Sequence, residues 1–247
     1  MPLFKYERLI SVLQINHLTK TYGTKRAVDD LSLEIRSGEI YGFIGHNGAG
    51  KTTTIKSVCG ILQFDSGEIL INGKSVKASP IECKKMIAYI PDNPDLYEFM
   101  SGIKYLNFVA DVFGIPSDAR QQRIHKYSEL FELTSDLAQP VSAYSHGMKQ
   151  KLALISALIH EPKLMVLDEP FVGLDPKASF TVKQIMREMC DAGGEIFFST
   201  HVLEVAEKLC DKIAIIKNGK LVASGTMEEV KGNSSLEAVF LELEAEV

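Results

Sequence analysis

The sequence lacks any apolar run long enough to cross a membrane. The stretch 152–159, one of the longest, is interrupted by Ser156 and is far shorter than the roughly 20 residues of a transmembrane helix. The N-terminal residues mix charged and apolar side chains and lack the apolar centre of a signal peptide. We therefore expect a cytosolic chain, or one held at a membrane only by a partner protein.

The chain also lacks an excess of basic charge and any paired cysteine motif. Its 27 Lys and Arg residues are outnumbered by 32 Asp and Glu residues, for a formal net charge of −5, so the overall charge gives no sign of nucleic-acid binding. Four cysteines occur without C-x-x-C spacing, which predicts neither a zinc site nor a disulfide framework: Cys59, Cys83, Cys190 and Cys210. We expect their thiols to be reduced and mostly buried.

A glycine-rich stretch, Gly45–Thr53, reads GHNGAGKTT and matches the phosphate-loop pattern G-x-x-x-x-G-K-[ST]. Its glycines let backbone N–H groups approach phosphate oxygens closely. A helix that begins near Lys51 directs its positive end at the phosphates, and the Lys51 ammonium reaches the β and γ oxygens. The Thr52 hydroxyl is left to hold magnesium. The apolar run Ile40–Ile44 before the loop and a helix-compatible run after it provide the required strand, loop and helix, so a bare glycine turn is disfavoured.

Apolar runs of strand length alternate with helical patterns through most of the chain. Strands are predicted at 10–15, 31–35, 40–44, 87–90, 163–167, 195–199, 213–216 and 221–223, and helices at 52–58, 147–159, 176–190 and 202–210. This alternation predicts an α/β protein whose mainly parallel sheet is covered on both faces. Because ligands of such sheets bind at the carboxyl ends of the strands, the phosphate loop, Asp168-Glu169 and Thr200-His201 should converge.

Two further segments have helical periodicity. Residues 95–142 repeat apolar side chains every three to four positions between turn signals, which predicts a helical insert whose aromatic side chains mostly belong to the core. Near the C-terminus, one helical stripe is apolar: Leu236, Val239, Phe240 and Leu243. This stripe can pack on its own domain or on a second copy of the chain, and we favour the first.

Several polar residues near these strand ends are suited to nucleotide chemistry. Asp168 follows an apolar strand, where it can hold magnesium together with Thr52. Glu169 would then face the γ-phosphate and polarise the attacking water. A carboxylate pair at a strand end can also be a helix cap, but the long separation from the phosphate loop favours the catalytic interpretation. Tyr22, in a predicted polar loop, can stack on a purine or be a plain surface tyrosine.

Five motifs together resemble the ATP-binding subunit of an ABC transporter, of the ABC-2 or drug and bacteriocin exporter type. They occur in the order of that family: 45–53, Tyr144–Met148, Leu167–Pro170, Gly173–Asp175 and Ser199–His201. The resemblance covers essentially the whole chain. It implies a phosphate-loop NTPase core with a mainly parallel, RecA-like sheet and an N-terminal antiparallel β subdomain (1–94 and 143–247). It also implies a helical insert subdomain (95–142) and a C-terminal amphipathic helix (233–247).

The resemblance further implies a head-to-tail dimer with two ATP molecules and Mg²⁺ between the protomers. The family's signature segment, usually LSGGQ, maps onto 144–148 and would reach the other protomer's γ-phosphate. Ser145 and Gly147 match that segment, and a hydroxyl beside a close backbone N–H at a helix start suits such a contact. Tyr144, His146 and Met148 depart from it, and the departure at His146 resembles variants of drug and bacteriocin exporters.

Individual roles follow from the same likeness. Catalytic roles are implied for Lys51, Glu169 and His201, the last as a switch histidine that senses the γ-phosphate. Nucleotide contacts are implied for Tyr22, Gly45, His46, Asn47, Gly48, Ala49, Gly50, Lys51, Thr52, Thr53, Ser145, Gly147 and Asp175. Metal contacts are implied for Thr52, Asp92 and Asp168. Asp92 stands where family members usually have glutamine, so we predict that hydrolysis survives there with altered coupling.

The leading hypothesis is an energy-coupling ATPase on the cytoplasmic face of a membrane. Its permease would be a separate chain that docks near Asp92 and residues 95–142, and the second cassette would be a copy or a related subunit. The variant signature favours export. A soluble ABC-type ATPase of translation or DNA repair is disfavoured, because the chain has no tandem cassette, long coiled coil or basic stripe. A scaffold without turnover is disfavoured by Lys51, Asp168, Glu169 and His201 occurring together.

Overall fold

The computed structural model describes residues 11–245. Residues 1–10 and 246–247 lie outside the described residues. They include Ile10 of the first predicted strand and the last two residues of the predicted helix 233–247. The strands are β1 Ser11–Tyr22, β2 Lys25–Arg36, β3 Ile40–Ile44, β4 Ser66–Ile71, β5 Lys74–Ser75, β6 Ile87–Ile90, β7 Leu164–Asp168, β8 Glu195–Thr200, β9 Lys212–Lys217 and β10 Lys220–Thr226. The helices are α1 Lys51–Val58, α2 Pro80–Met86, α3 Gly102–Val112, α4 Ser117–Leu130, α5 His146–Leu158, α6 Pro176–Asp191, α7 Leu203–Leu209, α8 Met227–Lys231 and α9 Leu236–Ala245.

The described strands form two sheets. A six-stranded sheet has the order β10-β9-β3-β8-β7-β6 and is parallel except for β10, which pairs antiparallel with β9. A four-stranded antiparallel sheet has the order β2-β1-β4-β5. The predicted α/β class, with a mainly parallel sheet and an N-terminal antiparallel sheet, is confirmed.

The six-stranded sheet separates two hydrophobic cores. Successive side chains of a strand point to opposite faces, so neighbouring apolar residues enter different cores. Ile44 and Phe198 pack with the helices α3 to α7, whereas Phe43 and Phe197 pack with α1 and the antiparallel sheet. Burial on both faces explains why these strands are continuous apolar runs.

The first hairpin differs from its prediction. Strand β1 extends to Tyr22 and pairs with Lys25 across a turn at Gly23 and Thr24. The loop predicted around Tyr22 was therefore wrong, because its polar residues continue strand β1 with partly buried or exposed side chains. Tyr22 itself lies at the strand end with half of its surface exposed.

The insert contains α3 and α4, as its periodicity predicted, but the expectation of a mostly buried aromatic set was wrong for three of its members. Phe131 is buried, whereas Tyr97, Phe99 and Phe108 are exposed. Tyr97 and Phe99 precede α3, and Phe108 lies on the helix face opposite the buried Leu106 and Ala110. Together with the neighbouring Tyr105, the three rings form an aromatic cluster with centroids 5.5 to 6.2 Å apart around Tyr97.

The predictions for the tail and the cysteines are confirmed. Leu236 and Phe240 of α9 are buried in the core of their own chain, with Val239 and Leu243 partly buried beside them. Helix α8 was not predicted, and it begins with a capping box between Thr226 and Glu229. All four cysteines are buried free thiols. Within residues 11–245, no helix has the length and apolarity needed to span a membrane.

Candidate active site

The predicted site residues follow the carboxyl ends of adjacent parallel strands. Ile44 of β3 pairs with Thr200 of β8, and Asp168 of β7 pairs with Ser199 of β8. The ends of β3 and β8 are therefore level in the sheet, and the phosphate loop begins at the residue after β3. This register brings loop, carboxylates and His201 to the same sheet edge, as the sequence predicted.

A cavity of about 340 Å³ lies at this edge. Thirteen residues line it: Tyr22, Lys25, Ala27, His46, Asn47, Gly48, Gly50, Lys51, Thr52, Thr53, Asp92, Asp168 and Glu169. Eleven of them are predicted site residues. Gly45 and Ala49 lie buried in the loop beneath its surface.

Lys51 is held inside the phosphate loop by backbone carbonyls. Its ammonium donates to the carbonyl of Gly45 at 2.6 Å and to that of His46 at 3.3 Å, and it lies 3.8 Å from Oε1 of Glu169. Burial lowers the pKa of Lys51, while the nearby carboxylates of Glu169 and Asp168 act in the opposite direction. A desolvated cation against two carboxylates is suited to bind a more highly charged anion.

Thr52 and Asp168 offer oxygen ligands to a small hard cation. The Thr52 hydroxyl donates to Oδ2 of Asp168 at 2.8 Å, and the other carboxylate oxygen accepts from the Ser199 hydroxyl. Asp168 is only 2% exposed, so its carboxylate is oriented by neighbours and shielded from water. Magnesium is usually held by one or two such protein oxygens together with substrate phosphates, so these residues fit the ion.

Glu169 is fixed by its backbone and by His201. It has a φ of +50°, an uncommon conformation for a residue with a side chain, and its N–H donates to the Ser199 carbonyl at 3.2 Å. Nδ1 of His201 lies 2.9 Å from Oε1 of Glu169. The carboxylate therefore has a defined position beside the cavity, and the exposed His201 reaches the site through it rather than by lining it.

Besides the buried Gly45 and Ala49, three predicted nucleotide contacts do not line this cavity: Ser145, Gly147 and Asp175. Ser145 caps α5 and accepts from the Met148 N–H at 3.3 Å. Asp175 caps α6, accepts from the Ala178 N–H at 2.8 Å and pairs with Lys151 of α5 at 2.9 Å. Both caps start exposed helix N-termini, and the Asp175–Lys151 pair joins the two segments within one chain.

The departures from the signature pattern have local structural reasons. Tyr144 is buried, and its hydroxyl donates to the Asp136 carbonyl at 2.8 Å, which ties the segment to the insert. His146 lies on Gly173, where an added Cβ would come within 2.4 Å of the imidazole ring. Gly173 has a φ of +79°, so two independent constraints require glycine there.

Asp92 lines the cavity as an exposed side chain, and its Oδ1 accepts from the Asn93 N–H at 2.8 Å. Within the described part of the chain, no three His, Cys, Asp or Glu side chains are grouped closely enough to hold a metal ion. Any ion bound by Thr52 and Asp168 would therefore draw its remaining ligands from other oxygens, such as phosphate and water.

Sequence reasoning missed two lining residues, Lys25 and Ala27. Lys25 pairs with Tyr22 across the β1–β2 turn, so the proposal for Tyr22 could have been extended to it once the hairpin was recognised. Ala27 presents its carbonyl to Gly50, which has a φ of +115°, and an added Cβ on Gly50 would come within 2.4 Å of that oxygen. No pattern in the sequence predicts this contact, because it depends on how the antiparallel sheet packs against the phosphate loop.

Comparison with known proteins points to one family. The family model described as ABC transporter matches residues 28–172. The uncharacterized ABC transporter ATP-binding protein YhcH of Bacillus subtilis (strain 168) is 39% identical over 214 residues, which cover 86% of this chain and 69% of that protein.

Two further matches extend over nearly the whole chain. The ABC-type transporter ATP-binding protein EcsA of Bacillus subtilis (strain 168) is 33% identical over 242 residues, covering 96% of this chain and 98% of that protein. A solved structure of an ATP-binding subunit of an ABC transporter has a TM-score of 0.91 and 34% identity, covering 94% of this chain and 99% of its own.

Proposed function

This chain belongs to the ABC transporter family and is an ATP-binding subunit with ATPase activity, and we propose that it works as a head-to-tail dimer that drives a separate permease. One observation carries the proposal. The phosphate loop, Asp168 and Glu169 share one cavity, whereas Ser145 and Gly147 lie at an exposed helix start outside it. A site that needs both sets of groups is then completed only by a second cassette.

Each residue has a role that its surroundings support. Lys51 and the backbone N–H groups of the loop bind the phosphates, and Thr52 and Asp168 would hold Mg²⁺. The ion supplies charge neutralisation on the phosphate oxygens. Glu169 polarises the attacking water, and His201 orients that carboxylate and senses the γ-phosphate.

Groups on both sides of the interface complete the pocket in this proposal. Tyr22 stacks on adenine, and Gly45 to Thr53 surround the phosphates. Ser145 and Gly147 of one protomer bind the γ-phosphate held by the other, with Asp175 at the seam. Asp92, which lines the same cavity, would offer a carboxylate oxygen to the ion and the water.

The permease is proposed to dock on the insert and near Asp92. Tyr97, Phe99 and Phe108 expose an apolar surface on the insert, which lies next in sequence to the cavity residue Asp92. In this proposal the insert, 95–142, is a subdomain distinct from the ATP-binding core, 1–94 and 143–247. The subunit is then held peripherally at the cytoplasmic face, and the variant His146 favours export.

The test is to trap the dimer with Glu169→Gln. Removing the carboxylate that polarises water should lower kcat by about 100-fold or more, while the phosphate loop still binds ATP. With ATP and Mg²⁺, the variant should elute as a dimer in size-exclusion chromatography. The matched control is Glu68→Gln on the exposed surface of β4, which should hydrolyse ATP as the parent does.

Adding Ser145→Arg to Glu169→Gln should abolish the dimer while ATP still binds to the monomer, because the γ-phosphate contact comes from the other chain. A Glu169→Gln variant that stays monomeric with saturating ATP would contradict the dimer. Turnover unchanged by Glu169→Gln would contradict the catalytic role.

A further inference from the structure

The C-terminal helix touches the phosphate loop directly. The ring of Phe240 on α9 lies against the imidazole of His46, with centroids 4.9 Å apart and planes tilted by 59°. Phe240 is only 7% exposed, so this contact is part of a packed surface. His46 lines the cavity, so α9 lies directly behind the wall of the nucleotide site.

Helix α9 is itself anchored. Leu236 is fully buried, Val239 and Leu243 pack on the same core, and the helix contacts α7 and α8. At its last turn, the Lys217 ammonium donates to the Leu243 carbonyl at 2.9 Å. A cation at a helix C-terminus satisfies an otherwise unpaired carbonyl and complements the helix dipole. These contacts hold α9 in place, so the position of the Phe240 ring against His46 is fixed.

His46 occupies a sensitive position in the loop. Its carbonyl accepts from the Lys51 ammonium at 3.3 Å and from the Ala49 N–H at 3.1 Å. A shift of the His46 backbone would move this shared acceptor and change the orientation of Lys51 with it. The far end of the loop is braced separately, because the Gly219 N–H of the β9–β10 turn donates to the Ala49 carbonyl at 2.8 Å.

We propose that Phe240 is a positioning residue that keeps the His46 side of the phosphate loop in its ATP-binding conformation. It acts through His46 and does not touch the nucleotide. A ring that fits against the loop reduces the number of conformations that the loop must give up when ATP binds. This inference rests on the nucleotide site proposed above and extends that site to the C-terminal helix.

The test is Phe240→Leu in the full chain, with Phe240→Ala as the stronger variant. Phe240→Leu keeps an apolar side chain that fills part of the space and removes the ring. We expect KM for ATP and the Kd of a fluorescent ATP analogue to rise by about ten-fold, equivalent to about 1.4 kcal/mol, with kcat little changed. The matched control is Leu241→Ala, a neighbour on the same helix that is 61% exposed, and it should leave both constants unchanged.

A double-mutant cycle with His46→Ala separates positioning from general destabilisation. If Phe240 acts through His46, Phe240→Leu should have little further effect on Kd in the His46→Ala background. An equal rise in Kd in both backgrounds, or an unchanged Kd in folded Phe240→Leu, would overturn the inference. Should the parent chain itself fail to bind ATP, the proposed function fails instead, so the two failures are distinguishable.

Discussion

Asp92 places a third carboxylate around a cavity that already contains Asp168 and Glu169. Replacing it by glutamine keeps a ligating oxygen, lengthens the side chain by one methylene and removes one negative charge. Because a carboxylate is the stronger ligand for Mg²⁺, Asp92→Gln should retain hydrolysis and require a higher Mg²⁺ concentration for half-maximal rate. The measurement is ATPase rate against Mg²⁺ concentration, with the exposed Asp95→Asn as control. A rate and a magnesium dependence that both match the parent would exclude a role for Asp92.

Glu195 is a buried carboxyl that the nucleotide site does not use. It opens β8 at the opposite sheet edge, is fully buried, and has no hydrogen-bond partner for either oxygen among the residues that the structure describes. Burial raises its pKa to about 8, an effect that Lys163 partly opposes. The folded chain therefore keeps the proton up to about pH 8, whereas the unfolded chain releases it near 4.5.

The free energy of unfolding should consequently fall as the pH rises through this interval, because the folded state binds the additional proton. Glu195→Gln removes the titration, so it should match the parent near pH 4.5 and exceed its stability near pH 8 by on the order of 4 kcal/mol. Urea unfolding at both pH values measures the difference, with the exposed Glu188→Gln as control. If the difference in stability between Glu195→Gln and the parent does not vary with pH, Glu195 is not a buried neutral carboxyl.

At the scale of the elements, the sequence was most informative where a local pattern and a tertiary need coincide. The run Ile40–Ile44 is a strand with the predicted bounds because it is buried on both faces, and α1 begins at Lys51 as the motif required. Tyr97, Phe99 and Phe108 were misjudged because the hydrophobicity of a side chain does not say whether a packing neighbour covers it. Lys25 follows from Tyr22 once the β1–β2 hairpin is recognised, whereas Ala27 reaches the site where the antiparallel sheet meets the phosphate loop, which no local pattern encodes.

The segment after β7 and the start of α5 form one unit through His146 and Gly173. Alanine at 173 would both strain a φ of +79° and collide with the imidazole, so Gly173→Ala should displace the segment that carries Asp175. We expect ATPase activity to fall by about ten-fold or more. His146→Gly in the same chain should restore part of it by removing the collision, although the backbone strain remains. Steady-state ATPase rates of the parent, Gly173→Ala and the double variant test this. A double variant no more active than Gly173→Ala would show that the collision with the imidazole does not cause the loss of activity.

At the scale of the whole molecule, the chain keeps apart the two groups of residues that the proposed dimer brings together. One sheet edge holds the phosphate loop, Asp168 and Glu169, while Ser145 lies at an exposed helix start outside that cavity. In the proposed dimer, such a division makes hydrolysis depend on association, since neither surface alone would surround a γ-phosphate. The rate per chain should therefore rise with protein concentration until the dimer is saturated.

Two inactive variants provide the sharper form of this prediction. Lys51→Ala should disable the phosphate loop of its own chain. Ser145→Arg should disable the proposed contact of that serine with the γ-phosphate held by the other protomer. In a mixed dimer one site combines the intact loop of the Ser145→Arg chain with the intact Ser145 of the Lys51→Ala chain. Random mixing at equal concentrations should therefore return up to about a quarter of the parental rate, because half of the dimers are mixed and half of their sites are intact. If mixed dimers are shown to form and the mixture is still as inactive as each variant alone, the result would contradict a composite site that works independently of the second site. Turnover by the parent that does not vary with dilution would contradict association itself.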